Sequence, residues 1–469
     1  MIEIAIHDQI YKYFTDNNLF HENHHGFLKN RSTTTALQQL MDLWLNAAER
    51  CELSSAVLLD LAAGFDVINH PMMIQKLSLY GFSNEALNLM KDYLSNRMQC
   101  VQIESKCSSL LEVPFGIPQG SILGPLMFVV FINELPMTIK VDNLENNDDS
   151  EEEITNPPVE KPEVNSIVIY ADDNTPTTSD KNCDNLITNT QENIDKVSAW
   201  FAENDMIVSG DKTKLLVLGT KKNRSNKITD DISLHVCGTS VEPTESERLL
   251  GVIISDDLTW KSYLHGSEES GEKGLIKQLS MRVGMLSKLR KNISVTQYKQ
   301  LMAGIFTSKL IYCISVWASI WGIPGIYEDV ETSRTSMTKQ DMRKLQTLQN
   351  KALRLTHGTD RSESTKSLLR KTNSLSVHQL ASYLTLTEVF KICRSELPAY
   401  HYKKLFGMDC TNNKANRIDF DLSLGRGSFF YQGSRLWNAI PSYMKVLENE
   451  LSFKLNIREW IKDNIKIKP

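Results

Sequence analysis

The chain opens on a helical repeat. Ile6, Ile10, Tyr13 and Phe14 recur near the 3.6-residue period, which predicts an amphipathic helix. A polar turn from His21 to His25 follows, with His24 and His25 expected at the solvent. Ser32-Thr33-Thr34-Thr35 then offers side-chain oxygens that cap a second helix, whose Leu37, Leu40, Met41 and Trp44 share one face. Ala56-Val57-Leu58-Leu59 is a short apolar run of the buried-strand kind and ends at Asp60. Pro71 to Leu94 predicts helix broken at Gly81. Ile167-Val168-Ile169-Tyr170 is a second buried strand, and Asp184 to Phe201 a helix with Ile187, Ile194, Val197 and Phe201 inward. Leu215 to Leu218 and Leu249 to Ile254 read as further strands. From about Leu264 helical spacing dominates, as in Leu275, Leu279, Val283, Leu286 and Leu289. The pattern is therefore an α/β region followed by a helical one, with no internal repeat.

Length changes this picture little: 469 residues suffice for two or three cores. The most apolar window, Ile122 to Ile132, is too short at 11 residues to cross a bilayer. Met1-Ile2-Glu3-Ile4 lacks the basic and apolar parts of a secretory signal. Eight cysteines without CxxC spacing suggest neither zinc nor a disulfide framework. The expectation is an intracellular protein, cytoplasmic or nuclear, with no membrane partner; oligomeric state is left open.

Charge is more informative. The net −5 hides an asymmetry: residues 1–260 carry 19 basic and 39 acidic side chains, residues 261–469 carry 33 and 18. Nine of the acids fall between Asp142 and Glu163, against Lys161 alone. This polar stretch with three prolines, about 141–165, is expected to be a disordered insertion. A basic C-terminal half is the electrostatic footprint of phosphate-backbone contact, although a merely solvated basic surface has the same composition.

Candidate chemistry sits at the strand ends. Asp60 follows the first apolar strand and Asp172-Asp173 the second. Carboxylates so placed suit hard divalent cations, which prefer oxygen ligands, and two such ions stabilise both oxygens of an in-line phosphoryl displacement. On spacing alone, turn residues are the commoner explanation of such aspartates.

The residues around them point further. Leu58-Leu59-Asp60-Leu61-Ala62-Ala63-Gly64-Phe65-Asp66-Val67-Ile68-Asn69-His70 resembles motif A of reverse transcriptases from non-LTR retrotransposons, the LINE and jockey-like elements. Gly116-Ile117-Pro118-Gln119-Gly120-Ser121-Ile122-Leu123-Gly124-Pro125 is similar to their motif B, and Tyr170-Ala171-Asp172-Asp173 to motif C. Trp200-Phe201, Asn204 and Asp211-Lys212-Thr213-Lys214 resemble motif D. Leu249-Leu250-Gly251-Val252-Ile253-Ile254 with Leu258-Thr259-Trp260 resembles the primer-gripping hairpin. Gly26-Phe27-Leu28-Lys29-Asn30-Arg31-Ser32-Thr33 resembles a fingers element, and Ser428-Phe429-Phe430-Tyr431-Gln432-Gly433 with Leu436-Trp437-Asn438 the tail of such reading frames.

The resemblance implies an α/β right-hand polymerase: a palm with an antiparallel sheet, partial fingers, a helical thumb and a C-terminal region. The implied boundaries are 1–55 for the fingers, 56–261 for the palm, 262–400 for the thumb or connection and 401–469 for the C-terminal region. It implies an RNA-directed DNA polymerase acting on an RNA template, a DNA primer and deoxynucleoside triphosphates. Two Mg²⁺ ions, or Mn²⁺ in their place, would be held by Asp60, Asp172, Asp173 and the Leu61 carbonyl. Phe65 would be the steric gate against a ribose 2′-OH, with Gln119 and Gly120 shaping the nucleotide pocket. Lys212 would protonate pyrophosphate, with Lys214 close by, and Asp66 and His70 are read as structural.

Three departures from the family pattern carry expectations of their own. The upstream arginine element and the endonuclease domain find no counterpart before Met1, so triphosphate binding would fall to backbone amides and to Lys29 or Arg31. Pro176 should confine its strand to an edge or disrupt it. The acidic insertion lies where a short connection is usual. The competing readings are an inactive retrotransposon remnant that still binds nucleic acid, and an unrelated metal-dependent phosphohydrolase. The latter leaves Phe65 and Pro118-Gln119-Gly120 without explanation.

Overall fold

A computed structural model describes residues 1–139, 165–228, 232–267, 271–320, 337–360, 362–407, 414–419 and 424–465. The expected acidic insertion lies outside these except at Asn165. The chain divides into two units, neither contiguous in sequence. The first is Met1–Ser32, Ser55–Leu215 and Asp230–Pro243; the second is Thr33–Ser54, Leu216–Thr229 and Thr244–Pro469. The architecture is mixed α/β with small antiparallel sheets.

In the first unit the predicted elements fall where the apolar pattern puts them. The largest sheet orders its strands Asn165–Tyr170, Asp173–Asp180, Leu53–Leu58, Lys214–Leu218. Helix Leu123–Phe131 is apolar all round and buried nearly throughout, as a core helix must be. Helices Ile2–Asp16 and Cys183–Glu203 bury Phe14 and Phe201 completely. The break at Gly81 separates helices His70–Leu79 and Asn84–Leu94, capped by the side chains of Asn69 and Ser83.

Pro176 corrects the sequence expectation. Its strand, Asp173–Asp180, is neither at an edge nor disrupted: it runs between Asn165–Tyr170 and Leu53–Leu58. The reason lies in which neighbour each backbone group faces. Pro176 pairs with Ile167. Ile169, two residues further along, turns its amide to Asn23 O (2.9 Å) and its carbonyl to His25 N (2.7 Å), away from the hairpin partner. Ile167 shares that orientation, so Pro176 occupies a pair that exchanges no hydrogen bonds. Asn174 O accepts from Leu59 N (3.0 Å), so Pro176 forfeits at most one bond, toward the Leu53–Leu58 strand. Loss of one ladder bond costs about 1 kcal/mol.

The same contacts correct the reading of His24 and His25. The Asn23–His25 segment lies alongside Asn165–Tyr170, with a parallel bridge from His24 to Ile169, and both histidines are fully buried.

In the second unit, helix Thr33–Glu49 was expected to bury one face but is buried on nearly every side, Gln38, Gln39 and Asp42 included. Partners distant in sequence meet Gln38 and Asp42. Gln38 Nε2 donates to Ser315 Oγ (3.0 Å) and Glu388 Oε2 (2.7 Å), and Asp42 accepts from Tyr400 Oη (2.6 Å) and Lys404 Nζ (3.0 Å). Leu249 to Ile254, read as one strand, is a hairpin of Ser246–Leu249 against Val252–Ser255. Tyr312 Oη donates to Leu250 O at its turn (2.7 Å). Around these lie helices Leu275–Leu289, Lys339–His357, Val377–Ser395, Phe429–Ala439 and Glu450–Asn464. One helical run among the described residues, Val295–Trp317, is long and apolar enough by length and composition to cross a membrane; 44% of its most apolar window is buried.

Candidate active site

Asp60 leaves the end of strand Leu53–Leu58, and its backbone is fixed on both sides. Leu59 N donates to Asn174 O (3.0 Å), Ser209 N to Asp60 O (2.9 Å) and Ala62 N to Ile207 O (2.9 Å). Leu61 thus pairs with Val208 without exchanging bonds, which directs its own carbonyl to the side on which Leu59 meets Asn174. That is the side of the Asp172-Asp173 turn.

Tyr170 pairs with Asp173, so Ala171 and Asp172 form a two-residue hairpin loop. Ala171 adopts φ +57°, which a residue with a Cβ takes at a cost of about 1 kcal/mol. Asn174, 1% exposed, donates from Nδ2 to Asp172 O (2.8 Å) and braces the loop from beneath.

Asp173 is raised from 3.8 to about 6; loss of hydration is the largest cause, although the side chain keeps solvent contact, and the charges of Asp172 and Asp60 add to it. Asp60 Oδ2 is shielded from solvent and accepts no hydrogen bond, with Lys212 Nζ 3.4 Å away. Among the described residues no three His, Cys, Asp or Glu side chains are gathered closely enough to hold an ion. The donors are all hard oxygens and one of them is buried without a hydrogen bond, so their chemistry fits a divalent cation as an open set rather than a closed cage.

The motif B loop is tied to the Asp60 turn. Gly116 N donates to Ile68 O (2.8 Å), Ile117 N to Phe65 O (2.9 Å), and His70 Nε2 meets Gly116 O at 2.7 Å. Gln119 Nε2 donates to Asp66 Oδ1 (2.9 Å). Phe65 stacks on Phe128 (centroids 4.3 Å apart, 16° between planes) and meets Phe27 edge-on at 5.9 Å. Half-buried, it presents its remaining surface from a ring held by two others. Gly120 is exposed with φ +80°, and a methyl there would meet nothing within 4 Å. The left-handed backbone, rather than a close protein contact, is what calls for glycine.

Residues 1–254 match the family described as reverse transcriptase (RNA-dependent DNA polymerase). The chain belongs to that family. It is 23% identical over 333 residues to the RNA-directed DNA polymerase from mobile element jockey of Drosophila melanogaster, covering 71% of this chain and 31% of that protein. It is 24% identical over 358 residues to the probable RNA-directed DNA polymerase from transposon BS of Drosophila melanogaster, covering 75% and 34%. The chain thus spans about a third of the length of these curated relatives. A solved structure of telomerase from Candida albicans with the TWJ fragment of telomeric RNA aligns at a TM-score of 0.41 and 11% identity, over 79% of this chain and 57% of that one. The motif resemblance to reverse transcriptases of non-LTR retrotransposons is therefore matched by the relatives themselves.

Within this family member, Lys212 reaches Asp60 through an ion pair of 3.4 Å. Arg31 does not serve as a free phosphate ligand. Its guanidinium donates to the carbonyls of His21 (2.8 Å), Glu22 (3.1 Å) and His24, and burial lowers it from 12.5 to about 10. Lys29 remains exposed, its ammonium 4.8 Å from the Tyr11 ring centroid. Asn174 and Ser209 carry no sequence signal, because only strand pairing brings their backbones to Asp60.

Proposed function

We propose that this reverse transcriptase chain is an RNA-directed DNA polymerase core, in which a primer 3′-hydroxyl attacks the α-phosphate of a deoxynucleoside triphosphate and releases pyrophosphate. The observation that carries the reading is the placement of Asp60, Asp172 and Asp173 at the ends of neighbouring strands, joined by the bond from Leu59 N to Asn174 O (3.0 Å). Asp60, Asp172 and the Leu61 carbonyl would hold two Mg²⁺ ions, with Asp173 the weaker partner. When bound, such a pair neutralises charge on the entering and leaving oxygens.

The chain's own groups do the rest. The Phe65 ring, held by Phe128 and Phe27, collides with a ribose 2′-OH and so favours deoxynucleotides. Gln119, held by Asp66, and Gly120 border the nucleotide, and Gly120 leaves open space there. Lys212 delivers a proton to the departing pyrophosphate and tempers the negative charge on Asp60 while the site is empty of substrate. In polymerase terms residues 1–55 would belong to the fingers, 56–261 to the palm, 262–400 to a helical thumb or connection and 401–469 to a C-terminal region. The basic residues beyond 260 would follow the phosphates of an RNA template and DNA primer.

Primer extension on an RNA template with Mg²⁺, comparing the natural chain with Asp172→Ala, tests the reading. Extension by the first and none by the second is expected, with template binding equal in both. Should neither extend while both bind, the chain is a binding remnant and the polymerase reading fails.

A further inference from the structure

Gly26 belongs to the segment beside the Asp172-Asp173 hairpin, yet nothing in the mechanism above uses it. Its backbone angle is ordinary, so conformation does not demand a glycine. Contact does: a methyl on its Cα would lie 2.3 Å from Ala171 N, 3.0 Å from Ala171 Cα and 3.1 Å from Tyr170 C. These are backbone atoms of the loop that carries Asp172, and none can rotate away. Gly26 therefore sits flush against the back of that loop.

Its own position is fixed independently. Ile169 N donates to Asn23 O (2.9 Å), His25 N donates to Ile169 O (2.7 Å), and Asn23 Nδ2 donates to Ser166 Oγ (3.0 Å). Arg31 closes the other side by binding the carbonyls of His21, Glu22 and His24. The segment is an irregular stretch bridged at His24 to the outer edge of Asn165–Tyr170, followed by a residue with no side chain where the carboxylate loop turns. From this geometry we infer that Gly26 is a positioning residue, which with Arg31 forms a rigid backstop that sets the height of Asp172 and Asp173 relative to Asp60.

The inference rests on the polymerase reading for its effect on turnover but not for its effect on structure. Gly26→Ala must displace the Ala171 loop by about 1 Å, and a misplacement of that size costs on the order of 10²-fold in rate. Mg²⁺ demands near-ideal octahedral geometry, so displaced carboxylates should harm the Mg²⁺ reaction more than the Mn²⁺ reaction.

The test uses the full chain. Gly26→Ala is expected to lower kcat about 100-fold with KM for the nucleotide and template affinity within about twofold. The ratio of Mg²⁺ to Mn²⁺ activity should fall. Hydrogen exchange at the amides of Ile169 and His25, which bond this segment to the hairpin strand, should accelerate in the protein without substrate. A folded Gly26→Ala variant with unchanged metal ratio and unchanged exchange at those amides overturns the inference. Should the variant fail to fold, Arg31→Lys replaces it: Nη1 alone meets all three carbonyls, and a lysine side chain is one atom too short to bring its ammonium there. The same metal-ratio and exchange changes are expected from it at smaller size, and their absence overturns the inference. If the natural chain extends no primer, the polymerase reading falls, and the exchange measurement still decides whether Gly26 holds the loop.

Discussion

Gly116 and Gly120 share one backbone conformation and differ in surroundings, so replacing each by alanine separates strain from contact. Both have positive φ, +83° and +80°. An alanine in this region costs about 1 kcal/mol wherever it stands. At Gly120 that is the whole cost, because nothing lies within 4 Å of the added methyl. At Gly116 the methyl would stand 2.7 Å from Asp66 O and 2.9 Å from Asp66 C and Cα. Asp66 is itself held by a bond from its amide to Ala63 O (2.8 Å), so the motif B loop must yield. Yielding stretches the bonds Gly116 N to Ile68 O, Ile117 N to Phe65 O and His70 to Gly116 O. Losing two of them at about 1 kcal/mol each brings the cost of Gly116→Ala to about 3 kcal/mol. The difference of about 2 kcal/mol between the variants corresponds to about 30-fold in an opening equilibrium. Native-state hydrogen exchange at Ile117 reads it directly, supported by urea midpoints of the two proteins. Equal loss of protection in both variants would refute the argument, since it would mean that the Asp66 contact carries no weight.

Asp173 gives a pH dependence with a definite sign. Its folded-state value of about 6 lies above the usual 3.8, so the native state holds the proton more tightly than the unfolded chain, and stability is lost as pH rises through about 6. Asp173→Asn should therefore raise the urea midpoint at pH 8 relative to the natural chain and leave it level at pH 4. His24 is held well below 6.5, chiefly by loss of hydration and then by the charge of Arg31, so folding is penalised progressively as pH falls below 6.5. His24→Phe should move the acid transition, followed by circular dichroism, to lower pH. Phe65→Ala should increase ribonucleotide incorporation in competition assays; unchanged sugar selectivity would remove the gate assignment. Asp42→Ala strands the Lys404 ammonium and the Tyr400 hydroxyl, so thermal unfolding should show a loss of about 3 kcal/mol.

Much of the candidate site was legible because its signals are local. Apolar runs that stop at an aspartate, and boxes such as Tyr170-Ala171-Asp172-Asp173, are written in consecutive residues. What was illegible depends on pairing. Pro176 looks disruptive until one knows that its nitrogen faces away from the hairpin partner. His24 and His25 look like a polar turn until the segment is laid against Ile169. Arg31 reads as a phosphate ligand by charge alone, yet three carbonyls within ten residues of it claim the guanidinium. Helix Thr33–Glu49 shows one apolar face in its sequence because the partners of Gln38 and Asp42 are hundreds of residues away.

That last separation has a consequence for how the molecule is made. Gln38 must wait for Glu388, 350 residues later, and Asp42 for Tyr400, 358 residues later. At about 5–20 residues per second on the ribosome, the helix spends roughly 20–70 s outside the exit tunnel before its partners exist. During that interval Trp44 and Leu37, destined for complete burial, are open to chaperones and proteases. Pauses or truncations between the two should thus endanger an element encoded some 350 residues earlier. The yield of intact protein would then be governed by the residues around Glu388 and Tyr400 as much as by the helix itself.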